Sequence, residues 1–305
     1  MTYLLESGSD RIGGLDFQAS STTYVPRVGK ASLAEMQQAA DTLQSGGQLS
    51  PELAEALLRG TSIGGARPKV LIDDGERKLI AKLSSTTDTY PVVKAEGVAM
   101  DLARRCGIDV APTEVIASMQ RDVLLVERFD RRPGTDVRRL LVSALTMLGL
   151  DEMMGRYATY YDLADLIRRR FTEPVATLRE LFSRIVFNIC IGNIDDHARN
   201  HAAFWDGSAL TLTPAYDLCP QPRSGTQANQ AMAIGRDGQR ESRLAVCREA
   251  SETYLLTPAE ADEIIDAQVT IINDEWDEAA DAARLTTQDK QLLWKRQILN
   301  PYIDS

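Results

Sequence analysis

The sequence predicts an α+β protein of two lobes, a small β-rich N-terminal lobe and a larger, mainly α-helical C-terminal lobe. Three observations carry this. Short apolar runs separated by turn residues crowd the first half, at Val70–Ile72, Lys78–Leu83, Glu114–Ala117 and Val123–Phe129. Apolar residues spaced three and four apart take over beyond Asp130, at Leu140–Leu150, Tyr160–Arg170 and Val175–Ile191. The two patterns meet at a basic stretch, residues 131–139, which reads as a connector and divides the chain into domains 1–129 and 130–305. With 305 residues, 44% apolar and 26% charged, both parts can bury a core.

Taken in order, the first 28 residues mix Gly, Ser and Thr with short apolar groups and read as an irregular or β segment. Gly29 to Gly60 reads as helical, with Ser50-Pro51 as N-cap and first-turn pair and Leu53, Leu57 and Leu58 on one face. Thr61 to Lys69 is a Gly-rich loop. Val70–Ile72 and Lys78–Leu83 flank Asp73-Asp74-Gly75 as a hairpin, with Lys82 near the end of its second strand. A helix follows over Pro91–Cys106, stopped by Gly107 and assigned to the first lobe. In the second lobe, residues 201–205 and 209–213 form a hairpin around Asp206-Gly207-Ser208. Residues 219–242, rich in Gln, Gly and Pro, read as a mobile surface loop. Thr257-x-x-Glu260 caps a C-terminal helix.

Composition excludes several classes of function. No apolar run is long enough to cross a bilayer, and residues 1–20 lack the basic start and apolar core of a secretory signal, so a cytoplasmic location is expected. Cys106, Cys190, Cys219 and Cys247 show no C-x-x-C pairing and read as reduced, mostly buried thiols. A formal charge of −10 opposes direct binding to a phosphate backbone, which depends on Lys and Arg releasing counterions.

The most informative string is Gly192-Asn193-Ile194-Asp195-Asp196-His197-Ala198-Arg199-Asn200, followed past the hairpin by Pro214-Ala215-Tyr216-Asp217. Asp195 and Asn200 have the D-x-x-x-x-N spacing of a kinase catalytic loop, where the Asp accepts the substrate hydroxyl's proton and the Asn binds magnesium. Asp217 stands where a second metal-binding acid belongs, and oxygen ligands suit a hard cation. In the first lobe, Lys82 is placed to reach the ATP phosphates, Glu96 to hold that Lys as an ion pair, and Gly64 and Gly65 to admit phosphates to backbone N–H groups. Taken singly, each signal has a plainer reading. A Gly-Gly pair can be only a turn, and Lys82 or Glu96 only a solvated charge. Asp195 and Asp196 can cap a helix, or join His197 and His201, at i and i+4, in holding a transition metal. The order of all the parts together favours phosphoryl transfer.

With these strings joined by Ser62-Ile63-Gly64-Gly65-Ala66-Arg67-Pro68-Lys69 and Glu127-Arg128-Phe129-Asp130-Arg131, the chain resembles the HipA family of serine/threonine kinases from bacterial toxin–antitoxin systems. The resemblance runs from about Gly13 to the C-terminus and implies a protein-kinase-like fold with the active site between its lobes. It implies Asp195 as catalytic base, Asn200 and Asp217 as Mg2+ ligands, and Lys82 on the ATP phosphates. Backbone groups of Glu127 and Phe129 form the hinge to adenine, and His197 and Tyr216 lie beside the nucleotide. Ser62 matches a loop serine that family members phosphorylate on themselves, silencing the enzyme. The implied substrate is an aminoacyl-tRNA synthetase or another translation factor. The implied partner is a helix-turn-helix antitoxin, through which any contact with DNA is indirect.

The chain departs from ordinary eukaryotic-type kinases in having no G-x-G-x-x-G, D-F-G or A-P-E string. Family members also carry a further small N-terminal subdomain, of which only the end, Leu4 to Phe17, is recognisable. The resemblance therefore implies either a truncated chain or a separate small protein acting as a second antitoxin, as in tripartite systems. Competing readings are a small-molecule kinase on the same scaffold, a non-catalytic nucleotide-binding regulator, and the metal hydrolase that His197 and His201 would permit.

Overall fold

A computed structural model describes residues 4–5, 8–27, 32–44, 46–51, 53–54, 69–85, 88–135, 137–223 and 225–305. The chain forms two compact units, Met1–Asp88 with Thr113–Leu141, and Thr89–Pro112 with Val142–Ser305. The division differs from the expected break at 129/130. Thr89–Pro112, placed by sequence in the first lobe, belongs to the second unit.

The first unit is a four-stranded antiparallel sheet. Its strands are β1 (Lys69–Asp73), β2 (Lys78–Leu83), β3 (Thr113–Ser118) and β4 (Arg121–Glu127), in the order β1-β2-β4-β3. The β1–β2 turn is built by side chains: Asp73 Oδ1 accepts from the Gly75 N–H at 3.0 Å and Asp74 Oδ1 from the Arg77 N–H at 2.6 Å. Helix α1 (Leu33–Gln44) opens on a capping box, in which Ser32 Oγ accepts from the Glu35 N–H and Glu35 Oε2 accepts from the Ser32 N–H. Met36 of α1 packs with Val70, Ala81, Leu83 and Val123 to form this unit's core. Helix does not run through the whole of 29–60: α1 ends at Gln44, Gly46 is left-handed, and Ser50, expected as an N-cap, accepts from the Leu53 N–H at 3.3 Å.

Past β4 the chain buries charge. Arg128, Asp130 and Arg131 are each under 7% exposed. Asp130 accepts from Arg128 Nη2 at 2.9 Å, Arg131 Nη1 at 2.7 Å and the Gly13 N–H at 2.7 Å. Asp10 pairs with both arginines, so the stretch expected to begin a basic connector instead anchors the N-terminal segment. Burial pushes the Asp130 carboxyl up, and the Arg128 and Arg131 guanidiniums outweigh it, holding the group below its ordinary value.

The second unit is mainly helical. Helix α2 is Val92–Arg105, α3 Ala144–Met147, α4 Tyr160–Arg170, α5 Pro174–Ile191, α6 Leu244–Ala250, α7 Pro258–Ala282 and α8 Thr287–Leu293. Helix α5 is the centre. Pro174 starts it at a position where a missing N–H costs nothing, and Leu178, Leu181, Phe182, Ile185, Val186 and Ile189 are wholly buried, each stabilising the fold by about 1.5–3 kcal/mol. Helix α7 packs on α5 and on α2, and Arg105 of α2 pairs with Glu275 and Glu278 of α7. The capping box at Thr257 and Glu260 is present as expected.

Two expectations for this unit are corrected. Leu140–Leu150 is no single helix: Leu141–Ser143 forms β5, which joins β6 (Ala202–Trp205) and β7 (Leu210–Leu212) in a three-stranded sheet, and Ser143 then caps the short α3. The Ala144 N–H is committed to the His201 carbonyl at 2.7 Å, a bond that a helix through this point would forfeit. The described residues of 219–242 form no helix or named strand, yet this stretch is not a surface loop, because Met232, Ala233 and Ile234 are at most 1% exposed. Their backbone is held by the Tyr160 N–H on the Ala233 carbonyl and the Tyr254 hydroxyl on the Ile234 carbonyl, both at 2.9 Å.

Candidate active site

The string from Gly192 to Asn200 leaves α5 at a left-handed Gly192, φ 71°. A Cβ there would lie 2.6 Å from the Gln297 carbonyl oxygen, so the turn requires glycine on both backbone and steric grounds. After it the chain has no regular structure and then turns at Ala198–Asn200 without becoming helical. His197 and His201 therefore do not share a helix face as the metal-hydrolase reading needs.

His201 has another task. Asp196, 1% exposed, receives three hydrogen bonds on Oδ2: Tyr160 Oη at 2.5 Å, Asn188 Nδ2 at 2.8 Å and His201 Nε2 at 2.8 Å. A carboxylate only accepts, so His201 carries its proton on Nε2. Asn193 donates to Asn188 Oδ1 at 2.9 Å and closes the network. Burial pushes Asp196 up, but His201, with Tyr160 and His197, holds it below the ordinary carboxylate value. Burial, with the neighbouring Asp196 charge, raises Tyr160 well above its ordinary value. Asp196 thus fixes the loop from inside while its neighbour Asp195 points outward and is exposed.

Asn200 is buried, and its Nδ2 lies 3.5 Å from the Asp195 carbonyl oxygen, which directs its Oδ1 elsewhere. The Tyr216 hydroxyl donates to the Arg199 carbonyl at 2.7 Å. This bond ties the residue before Asn200 to the residue before Asp217. Burial, then the charges of Asp217 and Asp196, raise the Tyr216 hydroxyl, as expected of a ring among carboxylates. Asp217 itself sits at φ 63°, a left-handed backbone costly outside glycine and frequent at functional positions. The strand leading to it is held by Arg184, 2% exposed on α5, whose Nη2 donates to the Thr213 carbonyl at 3.0 Å while its Nε pairs with Glu180 at 2.7 Å.

Of the residues expected at the site, Asp195, His197, Asn200, Tyr216 and Asp217 all lie in the second unit. Glu96 lies buried on α2 in that unit as well. Lys82, Glu127 and Phe129 belong to the first unit. Lys82 is 8% exposed on β2, in register with Lys69 on one side and Leu124 on the other. Glu127 is the last residue of β4, one beyond the final β3 pairing at Val126. The Arg128 N–H bonds the Lys78 carbonyl at 2.8 Å, so strand alternation turns the Glu127 N–H and carbonyl away from β2. Ser62, Gly64 and Gly65 lie outside the described residues.

Sequence reasoning missed Asp196, Asn188, Tyr160 and Arg184. The available signal was three polar residues, Ser183, Arg184 and Asn188, inside an otherwise apolar run, Leu181–Ile191.

The profile of the HipA-like C-terminal domain matches residues 61–276. The serine/threonine-protein kinase toxin HipA of Shewanella oneidensis is 31% identical over 183 residues, which cover 52% of this chain and 42% of that protein. Y4mE of Sinorhizobium fredii, named as a candidate kinase, is 30% identical over 177 residues, 52% of this chain and 41% of that one. The aligned stretch is thus about two fifths of the length of these curated relatives. Among solved structures, a chain of the Shewanella oneidensis complex of HipA, HipB and operator DNA matches with a TM-score of 0.71 at 20% identity, covering 97% of this chain and 76% of that one. The fold is therefore the α+β, protein-kinase-like one that the sequence predicts.

Proposed function

This chain belongs to the HipA-like C-terminal domain family, and from that membership we propose that it is an ATP-dependent serine/threonine protein kinase acting as a growth-arresting toxin. The observation that carries the reading is the loop Asp195–Asn200, anchored internally by Asp196 and tied to Asp217 through Tyr216. Bound ATP with Mg2+ supplies the phosphoryl group and the neutralising cation. Asp195, exposed on a loop held rigid from beneath, accepts the proton of the substrate hydroxyl. Asn200 Oδ1 and the Asp217 carboxylate are oxygen donors of the kind Mg2+ prefers. Lys82 contributes positive charge for the phosphates with Glu96 in support, and the Glu127 and Phe129 backbone receives adenine. His197 and Tyr216 flank the nucleotide.

In this proposal Ser62, on the loop with Gly64 and Gly65, is a site of autophosphorylation. A phosphate there adds about −1.5 to −2 charges and opposes the ATP phosphates, so Ser62→Asp lowers ATP affinity. The substrate is an aminoacyl-tRNA synthetase or another translation factor in the cytoplasm. A helix-turn-helix antitoxin carries the DNA contact, in keeping with a net charge of −10. The Shewanella oneidensis neighbour, solved with HipB and operator DNA, lends support to this partner.

Phosphoproteomics of cells expressing the wild type and Asp195→Asn tests the reading. A translation factor phosphorylated on Ser or Thr only by the wild type is expected. No Asp195-dependent protein phosphorylation, with ATP consumed on amino alcohols instead, would replace it by a small-molecule kinase.

A further inference from the structure

Between α3 and α4 the chain displays three large apolar side chains within five residues: Met153 is 74% exposed, Tyr157 55% and Met154 45%. The other large apolar side chains that the second unit exposes among its described residues, Val175, Trp205 and Leu255, are isolated in sequence. Loose structure does not account for the cluster. Asp151 Oδ1 accepts from the Met154 N–H at 2.8 Å, and the Tyr157 N–H donates to the Met154 carbonyl at 2.9 Å. The Arg156 guanidinium covers the Tyr157 ring at 5.0 Å, and Arg240 Nη2 reaches the Arg156 carbonyl at 3.4 Å.

This braced turn is joined to the catalytic loop through a single residue. Arg199 Nη1 lies 3.0 and 3.1 Å from the two carboxylate oxygens of Glu152, and a Cβ on Gly155 would stand 3.6 Å from the same nitrogen. The Leu145 N–H donates to the Ala198 carbonyl at 3.1 Å, and the carbonyl of Arg199 receives Tyr216. The turn that carries Met153, Met154 and Tyr157 and the Asp195–Asn200 loop are therefore neighbours in the second unit, bridged by the Glu152–Arg199 ion pair.

We infer that Met153, Met154 and Tyr157 are a docking platform for the polypeptide that carries the acceptor hydroxyl, gripping apolar side chains that flank its Ser or Thr. The inference rests on the kinase reading and names its substrate class. Methionine is unbranched and polarisable, so paired methionines fit apolar groups of varied shape. Asp151 and Glu152 offset Arg156 and Arg199, so recognition there is apolar. A small, strongly hydrated amino alcohol has no group for such a surface, whereas a polypeptide brings its own apolar side chains at a fixed distance from the hydroxyl.

The test uses the full chain and a displayed peptide library with a fixed central Ser or Thr. Wild type is expected to enrich peptides with an apolar residue near the centre. The Met153→Ser, Met154→Ser, Tyr157→Ser variant should bind them about tenfold more weakly, about 1.4 kcal/mol, with ATP hydrolysis in the absence of peptide unchanged. Met153→Glu alone should act in the same direction if the triple variant melts early. Enrichment that ignores these substitutions, or no enrichment at all, overturns the platform, as does light scattering that shows the substitutions dissolving a dimer. Transfer of labelled phosphate from ATP to the library is read separately. Patch-dependent binding without any transfer defeats the kinase reading and leaves the platform standing, whereas transfer that ignores the patch does the reverse.

Discussion

Replacing Asp196 by Asn separates structural support from chemistry, because Asp196 touches the loop's interior and Asp195 its exterior. Three donors converge on one oxygen of a carboxylate that is 1% exposed. Hydrogen bonds to an ionised partner contribute about 1.5–3 kcal/mol each, against about 0.5–1.5 between neutral groups. Substitution thus forfeits about 1–1.5 kcal/mol per bond, and relief of the buried charge offsets part of the loss. The expected cost is about 2–4 kcal/mol, close to the range for breaking buried ionic networks. Trp205, Trp276 and Trp294 all lie in the second unit, so tryptophan fluorescence in urea reports the unit that holds Asp196. With a slope of about 2 kcal/mol/M the midpoint falls by about 1–2 M. The acid dependence has a definite sign. The folded-state pKa of Asp196 lies below its ordinary value, so the folded carboxylate binds protons less readily than the unfolded one. Its contribution is complete above the unfolded carboxyl value of about 3.9 and disappears as pH falls through the lower folded value. The gap between wild type and Asp196→Asn should be constant near neutrality and close in acid. A midpoint unchanged at pH 7, or a gap that widens on acidification, would refute the assignment of Asp196 as the ionised anchor.

Other perturbations have equally specific outcomes. Asp195→Asn should reduce phosphate transfer by about two to four orders of magnitude and leave the urea midpoint in place, because the side chain is exposed. Asp130→Ala takes from the buried Arg128 and Arg131 one of the two carboxylates they share and leaves them the more exposed Asp10, costs about 3 kcal/mol in the first unit, and should speed amide exchange at Gly13, whose N–H it releases. Thr257→Ala should cost about 1 kcal/mol by removing one half of the α7 capping box, measured by thermal unfolding.

The fold was legible wherever local chemistry decides structure. The Asp73-Asp74-Gly75 turn, the hairpin around Asp206-Gly207-Ser208 and the Thr257 cap appear where their residues put them, since each is built from bonds within a few positions. Tertiary partners overrode the local signal elsewhere. Leu141–Ser143 has helical spacing but finds a strand to pair with, and 219–242 has loop composition but is drawn inward by Tyr160 and Tyr254. The helix carrying Glu96 was assigned by its place in the sequence, whereas Arg105, pairing with Glu275 and Glu278 some 170 positions away, fixes it in the second unit.

The candidate site divides along the same line. Asp195, Asn200 and Asp217 are proposed from sequence because a reaction at a hydroxyl and a hard cation restricts both residue type and spacing. Their supports are not, because a buried polar residue is specified by whatever it meets across the fold: Asp196 by Tyr160, thirty-six positions earlier, and Arg184 by the Thr213 carbonyl, twenty-nine later. Gly192 belongs with these supports, since what demands glycine is the Gln297 carbonyl, brought against it from the far end of the chain. A methyl there must displace backbone and hold an unfavourable φ. Gly192→Ala should therefore cost more than the roughly 1 kcal/mol expected from the left-handed conformation alone. Because the shift falls at the root of the Asp195 loop, phosphate transfer should decline further than stability does. A variant that loses about 1 kcal/mol and transfers phosphate at the wild-type rate would show that the loop takes its position from Asp196 alone.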